Sequence, residues 1–338
     1  MSDSTPANGS RPEYSDKYFV RAADILIADD HNPEVLMQIF CRSEAVLCGV
    51  NEAVSLFSHV RDRLAICALE DGDSIAPWET ILTISGAYRD FAPLETQCLG
   101  VLARGTRVAT QTRAVVEAAR GKPVLFFGGR HDHYLVQKTD GYAAILGGAV
   151  GVATDAQGAR SGYPGVGTIP HALIAAYGGD TVLASKKFVQ HMPHDIPFVA
   201  LVDFDNDCAG TSVAVARALG DRLSGVRLDT ASALVDLSLI DSDPPLKGVN
   251  PSLVGCVRRA LDEAGFPKVE IVVSGGMNAT RIAEFESCGA QVDAYGVGSS
   301  ILHNDGQFDF TADIVRSQGK AVSKEGRSYR PNDRLKPA

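Results

Sequence analysis

The chain has 338 residues, of which 45% are hydrophobic, and a formal net charge of −9 at pH 7. This is enough apolar sequence for one large domain or two unequal ones, and an acidic chain with no basic block argues against nucleic acid as a partner. No apolar run approaches the length of a membrane span, and the polar N-terminus lacks a signal-peptide core, so we expect a cytoplasmic protein that does not bind membranes.

The first third of the chain predicts a small mixed domain. Polar residues 1–14 predict a disordered lead-in, and residues 15–115 predict an N-terminal α/β domain with linking helices. Helical spacing of apolar residues favours helices from Tyr18 to about Phe57, whereas residues 74–88 are typical of a strand region. The following segment, up to Gly121, is long enough for two helices joined near Gly105.

From Gly121 onward the pattern alternates between strands and helices, which predicts a mostly parallel α/β fold. The predicted strands are residues 124–127, 144–146 with 150–153, 198–202, 225–228, 269–273 and 294–297. The predicted helices are residues 210–222, 251–264 and 279–288, with Asn250 and Asn278 as N-caps of the last two.

Polar or glycine clusters follow many of these strands, and active sites of α/β barrels lie at the carboxyl ends of their strands. We therefore predict an irregular α/β barrel over residues 116–308. A doubly wound sheet is the alternative, although its dinucleotide fingerprint is missing after the first strand. Residues 309–338 predict a C-terminal helix and a hairpin that pack back on the N-terminal domain.

Two glycine loops follow the last two predicted strands. Ser274-Gly275-Gly276 precedes a helix, and Gly296 and Gly298 end the next strand. Glycine lets backbone N–H groups approach an anion closely, and a helix N-terminus adds partial positive charge. The two loops therefore predict a phosphate site.

Charged residues follow the other strands. Arg130 is placed to bind a phosphate or carboxylate, although a surface arginine at a turn is the simpler alternative. Asp203 is the best candidate to bind Mg²⁺ with a substrate pyrophosphate, or a ribose hydroxyl. Arg227 and Asp229 both face the predicted barrel mouth, or they form a plain ion pair.

Three histidines complete the set of candidate residues. His171 follows a glycine-rich strand end, where it could shuttle protons, contact phosphate, or be a hydrogen-bonded core residue. His131 and His133 share one face of an extended chain, but no third metal ligand is apparent.

In this order and spacing, several segments resemble the nicotinate phosphoribosyltransferase family, within the type II phosphoribosyltransferases, and most closely its short archaeal-like form. The resemblance extends from about Ser15 to about Lys324. The matching segments are SDKYFVRAADIL, GAYRDFAPLETQCLGVLARGTRVATQTR, FFGGRHDH, GVGTIPHALI, FVALVDFD, GVRLDT, VVSGGMN and AYGVGSSI.

The resemblance implies that the protein joins nicotinate to 5-phosphoribosyl-1-pyrophosphate with Mg²⁺, giving nicotinate mononucleotide and pyrophosphate in NAD biosynthesis. ATP is an optional further cofactor, because many family members phosphorylate the histidine at the position of His171. A homodimer or higher homo-oligomer with shared active sites is also implied. The implied ligands of the 5-phosphate are Gly275, Gly276, Gly296 and Gly298, with Ser274 as a further substrate-binding residue. Phosphate or carboxylate contacts are implied for Arg130, His171 and Arg227, and ribose, Mg²⁺ or base contacts for Asp203 and Asp229. Stacking on the pyridine ring is implied for Phe127 and a partner's Tyr18.

Two positions depart from the family pattern, and three rival interpretations stay open. The usual second arginine after Arg130 is His131, and Ala153 stands at the position that commonly distinguishes nicotinate from nicotinamide. The rivals are a sister transferase for quinolinate, nicotinamide or another base; a barrel lyase with a Schiff base on Lys186 or Lys187; and a non-catalytic phosphosugar-binding protein.

Overall fold

A computed structural model describes residues 12–167 and 169–338. The predicted lead-in lies outside the described residues except for Pro12–Tyr14, which form one 3₁₀ turn. The chain divides into two compact units. The first comprises the residues up to Thr110 together with Asn304–Ala338, and the second comprises Gln111–His303.

The helices and strands follow in chain order. The helices are α1 (Lys17–Ala28), α2 (Val50–Ser55), α3 (Tyr88–Phe91), α4 (Glu95–Ala118), α5 (Gln137–Gly147), α6 (Asp155–Gly158), α7 (His171–Ala176), α8 (Thr181–His191), α9 (Cys208–Leu219), α10 (Pro251–Glu263), α11 (Ala279–Ser287) and α12 (Ser299–Leu302). The strands are β1 (Glu34–Cys41), β2 (Ala45–Val46), β3 (Ala65–Ala68), β4 (Ser74–Ile75), β5 (Thr80–Ala87), β6 (Val124–Phe126), β7 (Gly151–Val152), β8 (Val199–Leu201), β9 (Gly225–Leu228), β10 (Glu270–Val273), β11 (Ala294–Val297), β12 (Phe310–Ser317), β13 (Lys320–Ala321) and β14 (Lys336–Pro337).

The first unit is built on an antiparallel sheet with the order β13-β12-β1-β5-β3-β14. The predicted helices over residues 18–57 are present as α1 and α2, but the prediction is wrong between them, because residues 34–41 form the central strand β1. Five consecutive residues of this strand, Met37–Cys41, are buried. Burial on both faces removes the alternation by which a strand is usually recognised.

The C-terminal segment also differs from its prediction. The expected helix is wrong, because Phe310–Ser317 form strand β12, which pairs with β1 over registers such as Ile39↔Ala312. The expected hairpin is present, since β12 and β13 pair around a turn at Gln318 and Gly319. The segment thus supplies a strand to the sheet of the first unit.

Helix α4 is one continuous helix of 24 residues, and the predicted break near Gly105 is wrong. A Cβ added to Gly105 would lie 2.9 Å from the carbonyl oxygen of Cys48. The glycine is therefore needed for close packing between the helix and a neighbouring backbone, and it does not end the helix.

The second unit contains six parallel strands in the order β7-β6-β11-β10-β9-β8. This is the cyclic order of a barrel with one pairing missing, between β7 and β8, in the described residues. The prediction of a mixed α/β fold with a parallel, barrel-like sheet and a separate N-terminal domain is confirmed. One predicted strand, residues 144–146, is wrong because it lies in helix α5.

Asparagine caps fix the start of two helices that connect these strands. The Asn250 side chain accepts a hydrogen bond from the Leu253 N–H at 3.0 Å, and Asn278 accepts one from the Arg281 N–H at 2.9 Å, as predicted. Because the strands are parallel, their carboxyl ends meet at one edge, which brings together the loops after β6, β9, β10 and β11. Within the described residues, no helix is long and apolar enough to cross a membrane.

Candidate active site

A cavity of about 480 Å³ lies at the carboxyl ends of these strands, within the second unit. Nine of the predicted site residues line it: Phe127, Arg130, Arg227, Asp229, Ser274, Gly275, Gly276, Gly296 and Gly298. Residues that lie up to 171 positions apart in the sequence, from Phe127 to Gly298, therefore line one cavity.

The loop between β10 and α11 forms one wall of the cavity. Gly275 and Gly276 have φ angles of +83° and +68°, in the left-handed region that favours glycine. The Ser274 hydroxyl donates to Asp229 at 2.7 Å, which connects this loop to the end of β9. Two glycines and one hydrogen bond therefore fix the turn where the chain passes from strand to helix.

The second glycine loop is narrow because neighbouring side chains fill the space beside it. A Cβ on Gly296 would lie 2.4 Å from Cε2 of Phe127, and one on Gly298 would lie 2.5 Å from Cε1 of His131. Neither position has space for a larger residue unless the ring beside it moves. The loop therefore determines where the aromatic wall of the cavity stands.

Two arginines converge on the same cavity. The Arg227 guanidinium lies 5.8 Å from the centre of the Phe127 ring and 3.7 Å from the Asp229 carboxylate. Burial lowers the pKa of Arg227, and the charge of Arg130 lowers it further. The carboxylates of Asp229 and Asp203 raise it, but the net effect is a lowering. The buried Nε of Arg227 has no acceptor among the described residues. An anion in the cavity would relieve the repulsion between the two arginines.

His171 and Asp203 form a pair beside this cavity, adjoining its lining residue Pro170. The His171 Nε2 lies 3.0 Å from Oδ1 of Asp203, with the imidazole 45% exposed and the carboxylate 7% exposed. Burial raises the pKa of Asp203, and the charge and hydrogen bond of His171 oppose that rise. The negative charge of Asp229 raises the pKa of Asp203 further, because the two carboxylates repel each other.

Histidine 131 lines the cavity next to Arg130. Burial and the Arg130 charge lower the pKa of its imidazole below the ordinary histidine value, which disfavours the protonated form. His133 is exposed and its ring nitrogen accepts from the Leu135 N–H at 3.3 Å. The described residues contain no cluster of three or more metal-ligating side chains.

The remaining candidate, Tyr18, belongs to the first unit, on α1, where it is 61% exposed and its hydroxyl lies 3.4 Å from the Asp16 carboxylate. The sequence prediction missed several lining residues, among them Thr154, Met277 and Ser299.

Comparison with known proteins relates most of the chain to one family. Sequence models of quinolinate phosphoribosyl transferase match residues 16–106 with its N-terminal domain and residues 108–312 with its C-terminal domain. The chain is similar to a crystal structure of nicotinate-nucleotide pyrophosphorylase from Pyrococcus furiosus. That similarity has 33% identity and a TM-score of 0.85, and covers 98% of this chain and 82% of the other.

Two curated relatives are named for nicotinate. A nicotinate phosphoribosyltransferase of Mycobacterium tuberculosis is 29% identical over 267 residues, which cover 77% of this chain and 55% of the relative. Its namesake from Bacillus subtilis is 26% identical over 238 residues, which cover 70% of this chain and 45% of the relative. The chain thus spans about half the length of the curated relatives that it matches.

Proposed function

Since the chain belongs to the quinolinate phosphoribosyl transferase family, we propose that it is a phosphoribosyltransferase that joins nicotinate to 5-phosphoribosyl-1-pyrophosphate. The products are nicotinate mononucleotide and pyrophosphate, a reaction of NAD biosynthesis. One observation supports this most directly: two glycine loops, two arginines and an aromatic ring surround a single cavity. That set suits a ligand with a phosphate at one end and a flat, charged ring at the other.

The glycine loops are proposed to hold the 5-phosphate. Gly275, Gly276, Gly296 and Gly298 line one side of the cavity, where backbone N–H groups can approach phosphate oxygens closely. The Phe127 ring, which stands against Gly296, is proposed to stack on the pyridine ring. The ribose would lie between them, near Asp229.

The arginines are proposed to balance the charge that develops during the transfer. The bond from the anomeric carbon to pyrophosphate breaks, the bond to the pyridine nitrogen forms, and negative charge builds on the departing pyrophosphate. Arg130 and Arg227 both line the cavity, and we propose that they bind the base carboxylate and that pyrophosphate. Positioning and electrostatic stabilisation are then the main sources of catalysis.

Asp203 and Asp229 are proposed to hold Mg²⁺. Protein sites for this ion commonly use one or two carboxylates together with substrate phosphates, so two electrostatically coupled carboxylates fit it. The Oδ1 of Asp203 lies 3.0 Å from the His171 Nε2, so this carboxylate would serve both the ion and the histidine. The ion would neutralise charge on the pyrophosphate.

The choice of base rests on the cations in the cavity. Quinolinate carries two carboxylates and nicotinate carries one, while the pyrophosphate must also be neutralised. Among the described residues, two arginines line the cavity, and His131 stands beside them with a pKa below the ordinary histidine value. We therefore propose nicotinate as the base, with quinolinate as the nearest alternative because the family is named for it.

Product analysis distinguishes the two bases. Transfer to nicotinate releases pyrophosphate alone, whereas quinolinate must also lose one carboxyl group as CO₂ to give the same mononucleotide. We expect mononucleotide and pyrophosphate in equal amounts from nicotinate, and no labelled CO₂ from carboxyl-labelled quinolinate. Labelled CO₂ with no product from nicotinate would reverse the assignment of the base.

ATP coupling and subunit sharing are the remaining parts of the proposal. With Nε2 on Asp203, the Nδ1 of the half-exposed His171 is the nitrogen that could accept a phosphoryl group from ATP. Tyr18 is exposed on the first unit together with Ile25 and Ile27, which suits a contact with a second copy. Phosphohistidine detection after incubation with ATP, and light scattering of the native protein, test these two points.

The rival classes have weaker support. The Schiff-base lysines, Lys186 and Lys187, lie on α8 and do not line the cavity, and the Lys187 ammonium donates to Gln190 at 2.9 Å. A non-catalytic protein would bind 5-phosphoribosyl-1-pyrophosphate without releasing pyrophosphate, which the assay above would reveal.

A further inference from the structure

Arg281, on the first turn of α11, makes an unusual set of contacts with the glycine loop. Its Nη1 donates to the carbonyl oxygens of Gly275 at 2.8 Å and Gly276 at 2.9 Å, and its Nη2 donates to the Val249 carbonyl oxygen at 2.7 Å. One guanidinium therefore binds three backbone oxygens on two different loops. Neither the sequence prediction nor the proposed reaction assigned this residue a role.

The position of Arg281 follows from the cap of α11. Asn278 accepts the Arg281 N–H, which makes Arg281 the third residue of the helix. Side chains on a helix lean towards its N-terminus, so this side chain reaches back over the glycine loop. A cation in the first turn is unfavourable for the helix dipole, and contacts with carbonyl oxygens compensate for that disadvantage.

These contacts determine which way the loop's peptide groups face. In a trans peptide the C=O and the next N–H point in opposite directions. Because Arg281 takes the carbonyl oxygens of Gly275 and Gly276, the N–H groups of Gly276 and Met277 face away from the guanidinium. Both residues line the cavity, and neither N–H has a protein acceptor in the part of the chain that the structure describes.

A further contact orients the next peptide in the same way. The Ser300 hydroxyl donates to the Met277 carbonyl oxygen at 2.8 Å, which connects this loop with α12, directly after the second glycine loop. Three consecutive carbonyl oxygens are thus held by side chains. Successive N–H groups that face one side form a concave site for an anion.

We propose that Arg281 is a positioning residue that orients the amides of the Gly275-Gly276 loop towards the phosphate of the phosphoribosyl substrate. This inference rests on the proposed function for the identity of that substrate. The guanidinium acts through the backbone and does not touch the ligand. Its planar fork is essential, because a lysine ammonium keeps the charge but does not match the same three acceptors with one rigid group.

Two substitutions and one control separate positioning from general stability. Arg281→Lys keeps the charge, and Arg281→Met removes all donors. Arg113→Met is the matched control, since Arg113 also donates to two backbone carbonyl oxygens, those of Gly147 at 3.0 Å and Leu146 at 3.3 Å, but does not line the cavity. Thermal unfolding of each full-length variant shows which ones are folded.

The measured quantities are the dissociation constant for 5-phosphoribosyl-1-pyrophosphate with Mg²⁺, by calorimetry, and the KM values for both substrates. For each folded Arg281 variant, we expect binding of 5-phosphoribosyl-1-pyrophosphate to weaken by about tenfold or more, given the cost of misplaced groups at an active site. The KM for nicotinate should change by less than about twofold. Arg113→Met should leave both close to wild type.

The contrary outcomes are distinct. Wild-type affinity for 5-phosphoribosyl-1-pyrophosphate in Arg281→Lys would overturn the requirement for the fork and leave only a charge effect. Equal losses for both substrates, together with lower thermal stability, would show a purely structural role. If the wild-type protein binds 5-phosphoribosyl-1-pyrophosphate but transfers it to no base, the proposed function fails, while the affinities of the variants still decide the role of Arg281.

Discussion

Replacing Gly296 by alanine tests whether the Phe127 ring forms the wall on which the base stacks. The added Cβ would lie 2.4 Å and 2.6 Å from two carbons of that ring, and Ser274 Cβ stands 3.3 Å away on another side. Because carbon contacts normally begin at about 3.5 Å, the ring must retreat by about 1 Å. We expect the substitution to cost about 1–3 kcal/mol of stability, the usual range for overpacking.

Gly296→Ala should affect catalysis more strongly than it affects stability. A displacement of about 1 Å at an active site can lower the rate by about 100-fold. We therefore expect Gly296→Ala to raise the KM for the base or lower kcat by at least about tenfold in a folded protein. Pyrophosphate release, measured as a function of nicotinate concentration, gives both constants.

The control is Gly255→Ala on α10 of the same unit. Its Cβ would meet nothing closer than the Arg259 Nη1 at 3.9 Å, and alanine is favoured over glycine in a helix by about 1 kcal/mol. This variant should be at least as stable as wild type and equally active. Unchanged constants for nicotinate in a folded Gly296→Ala would refute the assignment of Phe127 as the stacking wall.

Three further predictions address the phosphate loop, the arginines and a buried acid. Gly276→Val should weaken binding of 5-phosphoribosyl-1-pyrophosphate by about tenfold or more, because φ is +68° and strained backbone costs about 1–3 kcal/mol; unchanged affinity in calorimetry would argue against the loop. Arg227→Ala should lower kcat/KM by about 100-fold or more with the fold intact, and near-normal steady-state kinetics would remove Arg227 from the site. Burial, with the charges of Asp313 and Asp16, raises the pKa of Glu95 to about 8. Between the ordinary pKa of a glutamate and this value, Glu95 is neutral in the folded protein and ionised in the unfolded chain. The stability of the wild type should therefore fall relative to that of Glu95→Gln as pH rises from about 4.5 to about 8. In urea unfolding, the stability of Glu95→Gln relative to wild type should be greater at pH 9 than at pH 5. The same relative stability at both pH values would contradict this.

Local sequence patterns predicted the second unit better than the first. Each strand from β8 to β11 is a short, largely apolar run that ends in a polar or glycine cluster. Two of the connecting helices, α10 and α11, have asparagine caps. In the first unit, β1 is buried on both faces, and its partner β12 lies more than 260 residues away in the sequence. Pairing over that separation leaves no local signal, and β12, half-buried along most of its length, shows no alternation.

The candidate site was predictable where its charged residues and glycines lie at or near the end of a strand. Arg130 and Gly275 stand shortly after strands, and Arg227 lies within β9, next to its last residue. Parallel strands bring these ends together. Arg281 was missed because it lies inside a predicted helix. One signal was available: a cation in the first turn of a helix is unfavourable unless carbonyl oxygens bind it, and a glycine loop immediately precedes this one.

The most direct test of the proposed reaction is pyrophosphate release from 5-phosphoribosyl-1-pyrophosphate and Mg²⁺, with nicotinate, nicotinamide and quinolinate offered in parallel, each with and without ATP. We predict release with nicotinate, accompanied by an equal amount of nicotinate mononucleotide in the mass spectrum. Release with another base would preserve the phosphoribosyl transfer and place the error in the assignment around His131 and Ala153. No release with any base, from a protein that binds 5-phosphoribosyl-1-pyrophosphate, would contradict the proposed reaction.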